Sequence, residues 1–483
     1  MLKLGWYREA GASSLVWTKF LLVFDKRERI EKMANMIKAP RGTQDVLGNE
    51  SYQWQFIENI ALETAKLYGF EEIRTPTFED MALFKRSVGD TTDVVQKEMY
   101  QVQAEKGKEL YGLRPEGTAG AVRAIIQNGL LNETLPLKIC YLISCFRHER
   151  PQAGRYREFH QFGVEMFGSA SPSADVEVIC LAHHLFERMG LKEIQLYINS
   201  IGCPTCRAEY QKALKAYFEG YRERLCGTCL ERLERNPMRI LDCKSPECAE
   251  IAKDAPLMLH YLCEDCKQHF EGVQERLKAV GISYQINPKI VRGLDYYTKT
   301  VFEFVSNDLG AQSTVCGGGR YDGLVEQMGG ASTPGLGFGI GLERLLLILK
   351  AQGIEIPKPA PCDLYLASIG EQAQIKACSL AEQLRQEGFR VECDLMNRSI
   401  KAQMKYANKI GANMSMVLGE SELETGKANL KLMKTGEQHE IAFEQDLCRT
   451  IYDYNLNEVA NALEHQFGDE QLANLFRNAK RED

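Results

Sequence analysis

Two strand-like runs joined by a long charged loop are the feature that most constrains the fold of this chain. The runs are KICYLISCFR at residues 138–147 and FHQFGVEMF at residues 159–167. Aliphatic and aromatic residues dominate both runs, and the segment between them is polar and contains glycine. This pattern predicts an antiparallel hairpin with a long connection.

Further predicted strands and helices accompany this hairpin. Apolar residues at helical spacing predict helices at residues 50–70 and 174–190, and EEIRTPTFED predicts a strand that ends at Pro76. The other predicted strands are residues 300–305, residues 312–316 and a Gly-rich strand that enters an amphipathic helix, GLGFGIGLERLLLILK, at residues 335–350. We therefore expect an α+β core at residues 36–199 and 271–356, in which helices flank an antiparallel sheet.

The rest of the 483 residues divides into smaller parts, as expected for a chain too long for one core. A Cys-rich insertion is predicted at residues 200–270, and PKPAPC at residues 357–362 reads as a linker. Strand and helix then alternate, which predicts a small α/β domain with a mainly parallel sheet at residues 361–450. A helical tail, including Asn457–Phe467, is expected at residues 451–483.

The first 35 residues do not fit this organisation. LVWTKFLLVF at residues 15–24 is interrupted by Lys19 and is followed by a charged run without a small-residue cleavage site, so it is not a signal peptide. We expect residues 1–35 to be a non-native or disordered extension, with the natural start at Met33 or Met36; an amphipathic extension docked on the body is the alternative. No run of 18 apolar residues is present, so no membrane span is expected.

The net charge of the chain does not by itself indicate an RNA partner. Lys and Arg number 59 and Asp and Glu number 66, a net charge of -7, so any RNA surface must be a local basic patch. Arg398, Lys401, Lys405 and Lys409 lie within twelve residues that contain no acid, and the three lysines share one helix face. Phosphate contacts would suit this stripe, and a solvated helix face is the alternative.

Half of the sixteen cysteines are concentrated in the predicted insertion. They are Cys203 with Cys206, Cys226 with Cys229, Cys243 with Cys248, and Cys263 with Cys266. Cys-x-x-Cys spacing is typical of structural zinc, and eight thiolates could hold two ions, although the sequence leaves their pairing open. Free thiols in a helical insertion are the alternative. A long chain without a secretion signal is predicted to be cytoplasmic, where thiols stay reduced.

Two segments carry residues suited to binding ATP. In CFRHERPQAGRYREFHQFG, residues 145–163, Arg147 and Arg155 could bind phosphates, Glu149 could accept from an amino group, and Phe159 could stack on a purine. In GLGFGIGLERLL the glycines allow close approach to the backbone, and Arg344 follows in the first turn of a helix. A solvated charged hairpin and a closely packed Gly-rich strand are the respective alternatives.

These segments resemble motifs 2 and 3 of class II aminoacyl-tRNA synthetases, and RTPTFED resembles motif 1, which implies a homodimer. Four more segments are similar to those of histidyl-tRNA synthetases: APRGTQD at 39–45, LRPEGTAGAVRA at 113–124, RGLDYYTKTVFEF at 292–304 and GGGRYDGL at 317–324. The resemblance covers roughly residues 36–450 and thins in the insertion. It implies that the C-terminal domain binds the anticodon and that the insertion lies over the acceptor end of tRNA.

The resemblance further implies an enzyme that activates L-histidine with ATP and Mg²⁺ and transfers the histidyl group to the 3′ end of tRNA(His). Arg147 would hold the α-phosphate and the histidine carboxylate, Glu149 and Phe159 would contact adenine, and Arg155 and Arg344 would bind the outer phosphates. Arg292 would supply positive charge where related enzymes use an extra metal ion. The residues implied to bind histidine are Glu116, Thr118, Arg147, Gln161, Glu165, Arg292, Tyr296 and Tyr297.

Other classes of protein remain as alternatives. A histidine-binding regulatory paralogue without charging activity is the main one, but such proteins typically lack the ATP-binding arginines or the anticodon domain. A nucleic-acid-binding zinc protein would not need those arginines, and a synthetase for another amino acid would lack the segments at 292–304 and 317–324.

Overall fold

The fold is that of a computed structural model of the chain. It describes residues 37–89, 92, 94–103, 109–152, 154–243, 245–290, 294, 296–308, 314–358 and 362–457. The chain forms two compact units, Met1–Ile356 and Pro357–Asp483. The predicted extension at residues 1–35 lies outside the described residues, so its expected nature stays a prediction.

A large, mostly antiparallel sheet forms the centre of the first unit. The strands of this unit are β1 (Glu71–Glu72), β2 (Phe78–Asp80), β3 (Gln101–Gln103), β4 (Leu110–Leu113), β5 (Leu137–Phe146), β6 (Glu158–Phe167), β7 (Ile194–Ser200), β8 (Tyr284–Ile286), β9 (Thr298–Ser306), β10 (Thr314–Arg320) and β11 (Gly335–Gly341). Eight of them pair in the order β1-β5-β6-β11-β10-β9-β7-β8, parallel only at the outer pairs β1–β5 and β7–β8. The predicted hairpin is confirmed as β5–β6, with Leu137 opposite Phe167.

The predicted strand that ends at Pro76 is formed only at its first two residues, and a second strand begins after Pro76. β1 belongs to the large sheet, whereas β2 pairs with β4 in a separate three-stranded sheet, β2-β4-β3. Pro76 interrupts the run because it has no N–H to donate to a neighbouring strand. The buried guanidinium of Arg114 occupies this crossing, where it donates to the carbonyl oxygens of Thr75 (2.9 Å) and Pro76 (3.3 Å).

Helices cover both faces of the large sheet. The helices of the first unit are α1 (Ser51–Leu67), α2 (Met81–Phe84), α3 (Thr118–Gln127), α4 (Pro172–Arg188), α5 (Pro204–Glu219), α6 (Gly227–Arg235), α7 (Pro246–Ile251), α8 (Glu264–Ala279), α9 (Leu324–Gln327) and α10 (Leu342–Ala351). Residues of α1, α4, α8 and α10 share one apolar core with the sheet, which includes Ile57, Leu185 and Leu345. Val122 and Ile125 of α3 pack with Tyr141, Tyr296 and Tyr321 in a second core.

The Cys-rich insertion has an apolar core of its own. Helices α5, α6 and α7 and the start of α8 follow one another here, after β7 and before β8. Tyr210, Leu214, Phe218, Leu233 and Ile240 are all buried in this core. The middle of α8 instead contributes to the core of the large sheet. The insertion is therefore connected to the large sheet through β7 on one side and α8 on the other.

The second unit is a five-stranded sheet with helices. Its elements in chain order are β12 (Leu364–Ser368), α11 (Glu371–Gln386), β13 (Val391–Cys393), α12 (Ile400–Lys409), β14 (Met414–Leu418), α13 (Glu420–Thr425), β15 (Lys427–Leu432), β16 (Gln438–Ala442) and α14 (447–457). The strand order is β13-β12-β14-β15-β16.

The expectation of a mainly parallel sheet in this unit is right for only part of it. β13, β12 and β14 are parallel, but β15 is antiparallel to β14 and to β16. The connection between β15 and β16 is too short for the crossover that a parallel pair requires, so these strands form a hairpin. The predicted helix Asn457–Phe467 lies outside the described range beyond its first residue. Within the parts of the chain that are described, no helix has the length and apolar character to cross a membrane.

Candidate active site

A cavity of about 90 Å³ lies against β5, β6, β10 and β11 in the first unit. Its lining residues are Glu116, Thr118, Tyr141, Arg147, Gln161, Glu165, Leu294, Tyr296, Tyr297, Gly317, Tyr321, Gly337, Phe338 and Gly339. All the residues that were expected to bind histidine are among them except Arg292, which lies outside the described residues. The cavity therefore brings together groups from residues 116 to 339 that the sequence could relate only by resemblance.

Glu165 of β6 lies at the centre of a hydroxyl network in this cavity. Its Oε1 accepts from the Thr118 hydroxyl (2.7 Å) and the Tyr141 hydroxyl (2.8 Å), and its Oε2 accepts from the Tyr321 hydroxyl. Burial raises the pKa of the Glu165 carboxyl to about 8, although these hydroxyls act in the opposite direction. The side chain is thus held in one orientation, and burial favours its protonated form.

Glu116 is a second buried carboxyl at the cavity wall. Its two oxygens accept from the backbone N–H groups of Thr118 and Ala119, both at 2.8 Å, where the chain enters α3. Burial raises the pKa of Glu116, and these hydrogen bonds oppose the increase. The helix N-terminus favours negative charge, which helps to keep a carboxylate in an otherwise dry site.

The glycines of β11 accommodate side chains of the neighbouring strand. A Cβ placed on Gly337 would clash with Glu165, and one on Gly339 would clash with Gln161. Gln161 in turn accepts from the Gly117 N–H at 3.1 Å. The close-packing alternative for this Gly-rich strand therefore holds at these two positions, since the missing side chains make room for two polar groups of the cavity.

Two adjacent tyrosines, Tyr296 and Tyr297, form another part of the wall. Their ring centroids are 4.7 Å apart, and Tyr296 also contacts the edge of Tyr321 at 5.5 Å. Both are buried, at 7% and 6% exposure, so they do not form the alternating pair of an ordinary surface strand. Aromatic rings packed in this way provide a rigid surface for a planar ligand.

The pKa of Glu165 leads to a prediction about stability. Its folded-state pKa lies above the unfolded value, so this carboxyl favours folding below about pH 4.5 and loses that contribution as the pH rises towards 8. We expect Glu165→Gln, which cannot ionise, to gain stability relative to wild type over this window, by at most roughly 1.4 kcal/mol per pH unit. Denaturant unfolding from pH 5 to 8 measures the difference; an unchanged difference at all pH values would contradict it.

Three predicted ATP-binding arginines gather next to the cavity. Arg344 packs beside Gly154, the residue before Arg155. Burial lowers the pKa of the Arg344 guanidinium, and the positive charges of Arg155 and Arg147 act in the same direction. Glu149 lies among them, 2.9 Å from Arg155 Nη1 and 3.9 Å from Arg147 Nη1. A cluster with this excess of positive charge favours a polyanionic ligand.

The structure also shows what orients Arg147. β5 ends at Phe146, so Arg147, the last residue of the predicted strand, lies just beyond it, and Glu149 follows. Arg147 Nε donates to the Pro115 carbonyl at 2.9 Å, and its guanidinium lies 5.3 Å from the ring centroid of Phe159. The aromatic ring that was expected to stack on adenine is therefore also a stacking partner of this arginine.

Sequence reasoning missed three residues that organise the site. Tyr141 and Tyr321 both donate to Glu165, and the buried Glu343 accepts from the His160 N–H at 2.9 Å and contacts its ring at 3.0 Å. Glu343 thereby connects the first turn of α10 to β6. The signal for Tyr141 was its position opposite Gly163 in the hairpin, while Tyr321 and Glu343 lie inside segments that had been singled out for other residues.

The predicted metal ligands come together in the insertion. The structure places them in two groups of four, Cys203, Cys206, Cys263 and Cys266 in one and Cys226, Cys229, Cys243 and Cys248 in the other. The ligand atoms of each group lie within 4.8 Å of one another. This resolves the pairing that the sequence left open.

The predicted basic stripe of the second unit is only partly a free surface. Lys401, Lys405 and Lys409 are exposed on α12. Arg398 precedes the helix, lies 3.6 Å from Asp394 and covers the ring of Tyr406 at 4.3 Å. Asp394 stands just outside the twelve-residue window, which is why the sequence suggested an arginine without an acidic neighbour.

Comparisons with known proteins agree with this geometry. Residues 42–345 match the family model described as Histidyl-tRNA synthetase, and residues 363–447 match the one described as Anticodon binding domain. The histidine–tRNA ligase of Acetivibrio thermocellus is 54% identical over 414 residues, which cover 86% of this chain and 99% of that protein. That of Clostridium novyi is 52% identical over 427 residues, or 88% and 99% of the two chains.

A solved structure supports the same relationship. The crystal structure of histidyl-tRNA synthetase from S. aureus superimposes with a TM-score of 0.74 at 39% identity, covering 86% of this chain and 100% of that one. The family model alone spans well over half of the chain, and it contains every described residue of the cavity. The chain therefore belongs to the histidyl-tRNA synthetase family.

Proposed function

We propose that this chain is a histidine–tRNA ligase. In the first step the carboxylate of L-histidine attacks the α-phosphorus of ATP, which forms histidyl-adenylate and releases pyrophosphate. In the second step the terminal ribose hydroxyl of tRNA(His) attacks the activated carbonyl carbon, and AMP leaves. The observation that carries the proposal is the closeness of a buried, polar cavity to a cluster of three arginines.

Histidine occupies the cavity in this proposal. Glu165 and Glu116 provide acceptors for the imidazole N–H and the ammonium group, and Tyr296 and Tyr297 pack against the ring. A site that satisfies both ends of histidine leaves buried polar groups unpaired with another amino acid, so it discriminates strongly. Ionisation of Glu165 on binding would strengthen its hydrogen bond to the ring.

ATP binds over the arginine cluster. Arg147 stabilises the negative charge that builds on the α-phosphate, while Arg155 and Arg344 hold the outer phosphates. Mg²⁺ arrives with the nucleotide, because phosphate oxygens are its preferred ligands, and supplies further charge neutralisation. Glu149 and Phe159 bind adenine, and Arg292 remains the proposed additional cation of the activation step.

The regulatory alternative predicts a different pattern of activity. A paralogue that only senses histidine would bind it without catalysing exchange of pyrophosphate into ATP. The presence of all three arginines and of a second unit that matches an anticodon binding domain favours the ligase.

Amino-acid-dependent ATP–pyrophosphate exchange with each of the twenty amino acids tests the proposal. We expect exchange with histidine alone, followed by transfer to tRNA(His) when tRNA is added. Binding of histidine without any exchange would instead identify the regulatory paralogue.

The second unit binds the anticodon region of tRNA, and the lysines of α12 contact its phosphates. We expect Lys401→Gln/Lys405→Gln/Lys409→Gln to raise the KM for tRNA about tenfold near 0.1 M salt, because three phosphate contacts are lost. The slope of log KM against log salt should fall by about two. Aminoacylation assays across a salt series measure both effects.

The control for this variant is Lys427→Gln, which removes an exposed lysine of β15 that pairs with Glu440 at 3.4 Å. It should leave the KM for tRNA unchanged. Histidine-dependent exchange should be the same in both variants, since it does not involve tRNA. An unchanged KM in the α12 variant would show that these lysines only face solvent.

The proposal also covers the oligomeric state of the protein, its cellular compartment and its metal content. The chain forms a homodimer through the segment that resembles motif 1, where Phe78 of β2 is 53% exposed. Sedimentation should give twice the chain mass of 54.6 kDa. The sixteen cysteines, all of them in described parts of the chain, form no disulfide, which suits the reducing cytoplasm. The thiols of the insertion hold structural zinc.

A further inference from the structure

The two groups of cysteines have the dimensions of closed metal sites. Cys203 Sγ lies 3.5 Å from Cys206 Sγ and 4.0 Å from Cys263 Sγ. In the other group, Cys226 Sγ lies 3.8 Å from Cys243 Sγ. Four thiolates bound tetrahedrally to zinc at ~2.3 Å would be ~3.8 Å apart, so these separations match without rearrangement of the backbone. Both groups are complete sets of four.

Helix N-termini and backbone N–H groups support the thiolates. Cys203, Cys226 and Cys263 each stand at the N-cap of a helix, α5, α6 and α8 respectively. Cys206 Sγ accepts from the Cys263 N–H at 3.0 Å, and Cys248 Sγ accepts from the Cys226 N–H at 3.3 Å. Helix N-termini and N–H donors stabilise the deprotonated sulfur that metal binding requires. If the cysteines only filled space in the core, there would be no reason for both groups to combine helix N-termini with N–H donors to sulfur.

The two sites differ in what they connect. Cys203, Cys206, Cys263 and Cys266 are here called the junction site. They join the start of α5, which follows β7 of the large sheet, to the start of α8, the helix that leads back to β8. Cys226, Cys229, Cys243 and Cys248, here called the distal site, join segments that lie entirely within the insertion. The cysteines of both sites lie in or against the apolar core of the insertion, which includes Leu225 and Ile251, so the sites differ in the segments they join and not in this core.

The junction site has a short route to the cavity among the described residues. Arg207, the residue after Cys206, donates from Nη1 to the carbonyl oxygen of Tyr297 at 3.1 Å. Gly202, the residue before Cys203, accepts from the Lys299 N–H at 2.9 Å. A metal ion bound to Cys203 and Cys206 would fix the residues next to them, Gly202 and Arg207. These two residues hydrogen-bond to Lys299 and Tyr297, so the metal would also fix the segment that places Tyr297 at the cavity.

We propose that the insertion holds two tetrathiolate zinc sites with different tasks, the distal site closing the core of the insertion and the junction site positioning Tyr297 for histidine binding. The second part of this proposal rests on the assignment of the cavity to histidine. The first part does not, because the metal content of the protein can be measured without any activity.

Metal analysis of the full-length protein, purified under reducing conditions, tests the sites. We expect two zinc ions per chain, one after Cys203→Ser/Cys263→Ser at the junction site, and one after Cys226→Ser/Cys243→Ser at the distal site. Cys378→Ser/Cys448→Ser is the matched control, since both of these cysteines are exposed in the second unit, and it should retain two ions. Well under one zinc per chain in wild-type protein with reduced thiols would overturn both sites.

Steady-state ATP–pyrophosphate exchange tests the division of tasks. The junction variant should raise the KM for histidine about tenfold, with kcat changed far less, because the binding surface is displaced while the arginines are not. The distal variant should keep both constants within about twofold of wild type. A junction variant that has lost one zinc but keeps the wild-type KM would overturn the link to the cavity.

Arg207→Ala provides a second test if the junction variant fails to fold. This variant keeps every thiol, so it should retain two zinc ions and still raise the KM for histidine. Retention of both metals with a wild-type KM would also overturn the positioning role. Absence of exchange in wild-type protein that contains two zinc ions would instead argue against the proposed function and leave the metal sites intact.

Discussion

Replacement of Arg147 by alanine is expected to lower the kcat of histidine-dependent ATP–pyrophosphate exchange by about 10³-fold or more. A guanidinium that neutralises charge on a transferring phosphoryl group contributes this much in related chemistry, because it acts mainly in the transition state. Arg147 is held for this task by its hydrogen bond to the Pro115 carbonyl and by the ring of Phe159. Exchange kinetics at saturating ATP measure the loss.

Two further variants separate the role of Arg147 from an effect on the fold. Arg147→Lys retains the charge but not the planar fork of donors, so it should recover only part of the rate. Arg188→Ala removes another arginine of the first unit, which donates to Glu63 and Thr64 on α1, and should leave exchange unchanged. Exchange within about threefold of wild type in Arg147→Ala would contradict the proposed role.

Replacement of Arg320 by methionine is expected to lower the free energy of unfolding of the first unit by about 3–5 kcal/mol. Arg320 is fully buried at the end of β10, and its Nη2 lies 2.7 Å from Asp175 Oδ2 in the first turn of α4. His269 of α8 contacts the same carboxylate at 3.3 Å. The variant would leave Asp175 buried without its main partner, which is costly.

The pKa of Asp175 determines how this loss depends on pH. Burial raises the pKa of Asp175, but His269 and Arg320 more than offset this effect and hold it below the usual range. A lowered folded-state pKa stabilises the protein above the unfolded pKa, and this contribution is lost as the pH falls through the folded value. Without Arg320 the carboxyl would favour its protonated form, so the destabilisation should be smaller at pH 5 than at pH 8. Denaturant unfolding at both pH values measures it.

The double variant Asp175→Asn/Arg320→Met is the informative control. It removes the unpaired charge together with the arginine, so it should be less destabilised than Arg320→Met alone. Lys212→Ala, which removes an ion pair with Glu209 between two exposed side chains, should change stability by less than about 1 kcal/mol. A single variant no less stable than this surface control would refute a structural role for Arg320.

The location of Arg320 also changes how its segment is interpreted. GGGRYDGL was singled out because it resembles a segment of one family, which suggests direct contact with a ligand. In the structure, Arg320 connects β10 to α4 through Asp175, and the hydroxyl of Tyr321 orients Glu165 by a hydrogen bond. Segments of this kind can carry structural and binding residues side by side, and the sequence does not separate them.

Local patterns were enough to predict much of the architecture. The β5–β6 hairpin, the strand-to-helix transition from β11 to α10 and the helices α1 and α4 follow from hydrophobic periodicity and glycine positions, which act over a few residues. Predictions failed where a neighbouring segment decides the outcome. The run around Pro76 divides between two sheets, and Arg114, some forty residues later, binds the carbonyl oxygens of Thr75 and Pro76 where they separate.

The sequence by itself determined the family, the two-part organisation and the residue types available for chemistry, because these are properties of motifs read along the chain. Only the tertiary structure decided which of those residues meet. Glu165 accepts hydrogen bonds from the hydroxyls of Tyr141 and Tyr321. Cys203 lies in one group with Cys263 and not with Cys226, which is nearer in the chain. Such contacts depend on how strands and helices pack over long sequence separations, where the energy comes from burial and geometry and leaves no periodic signal in the sequence.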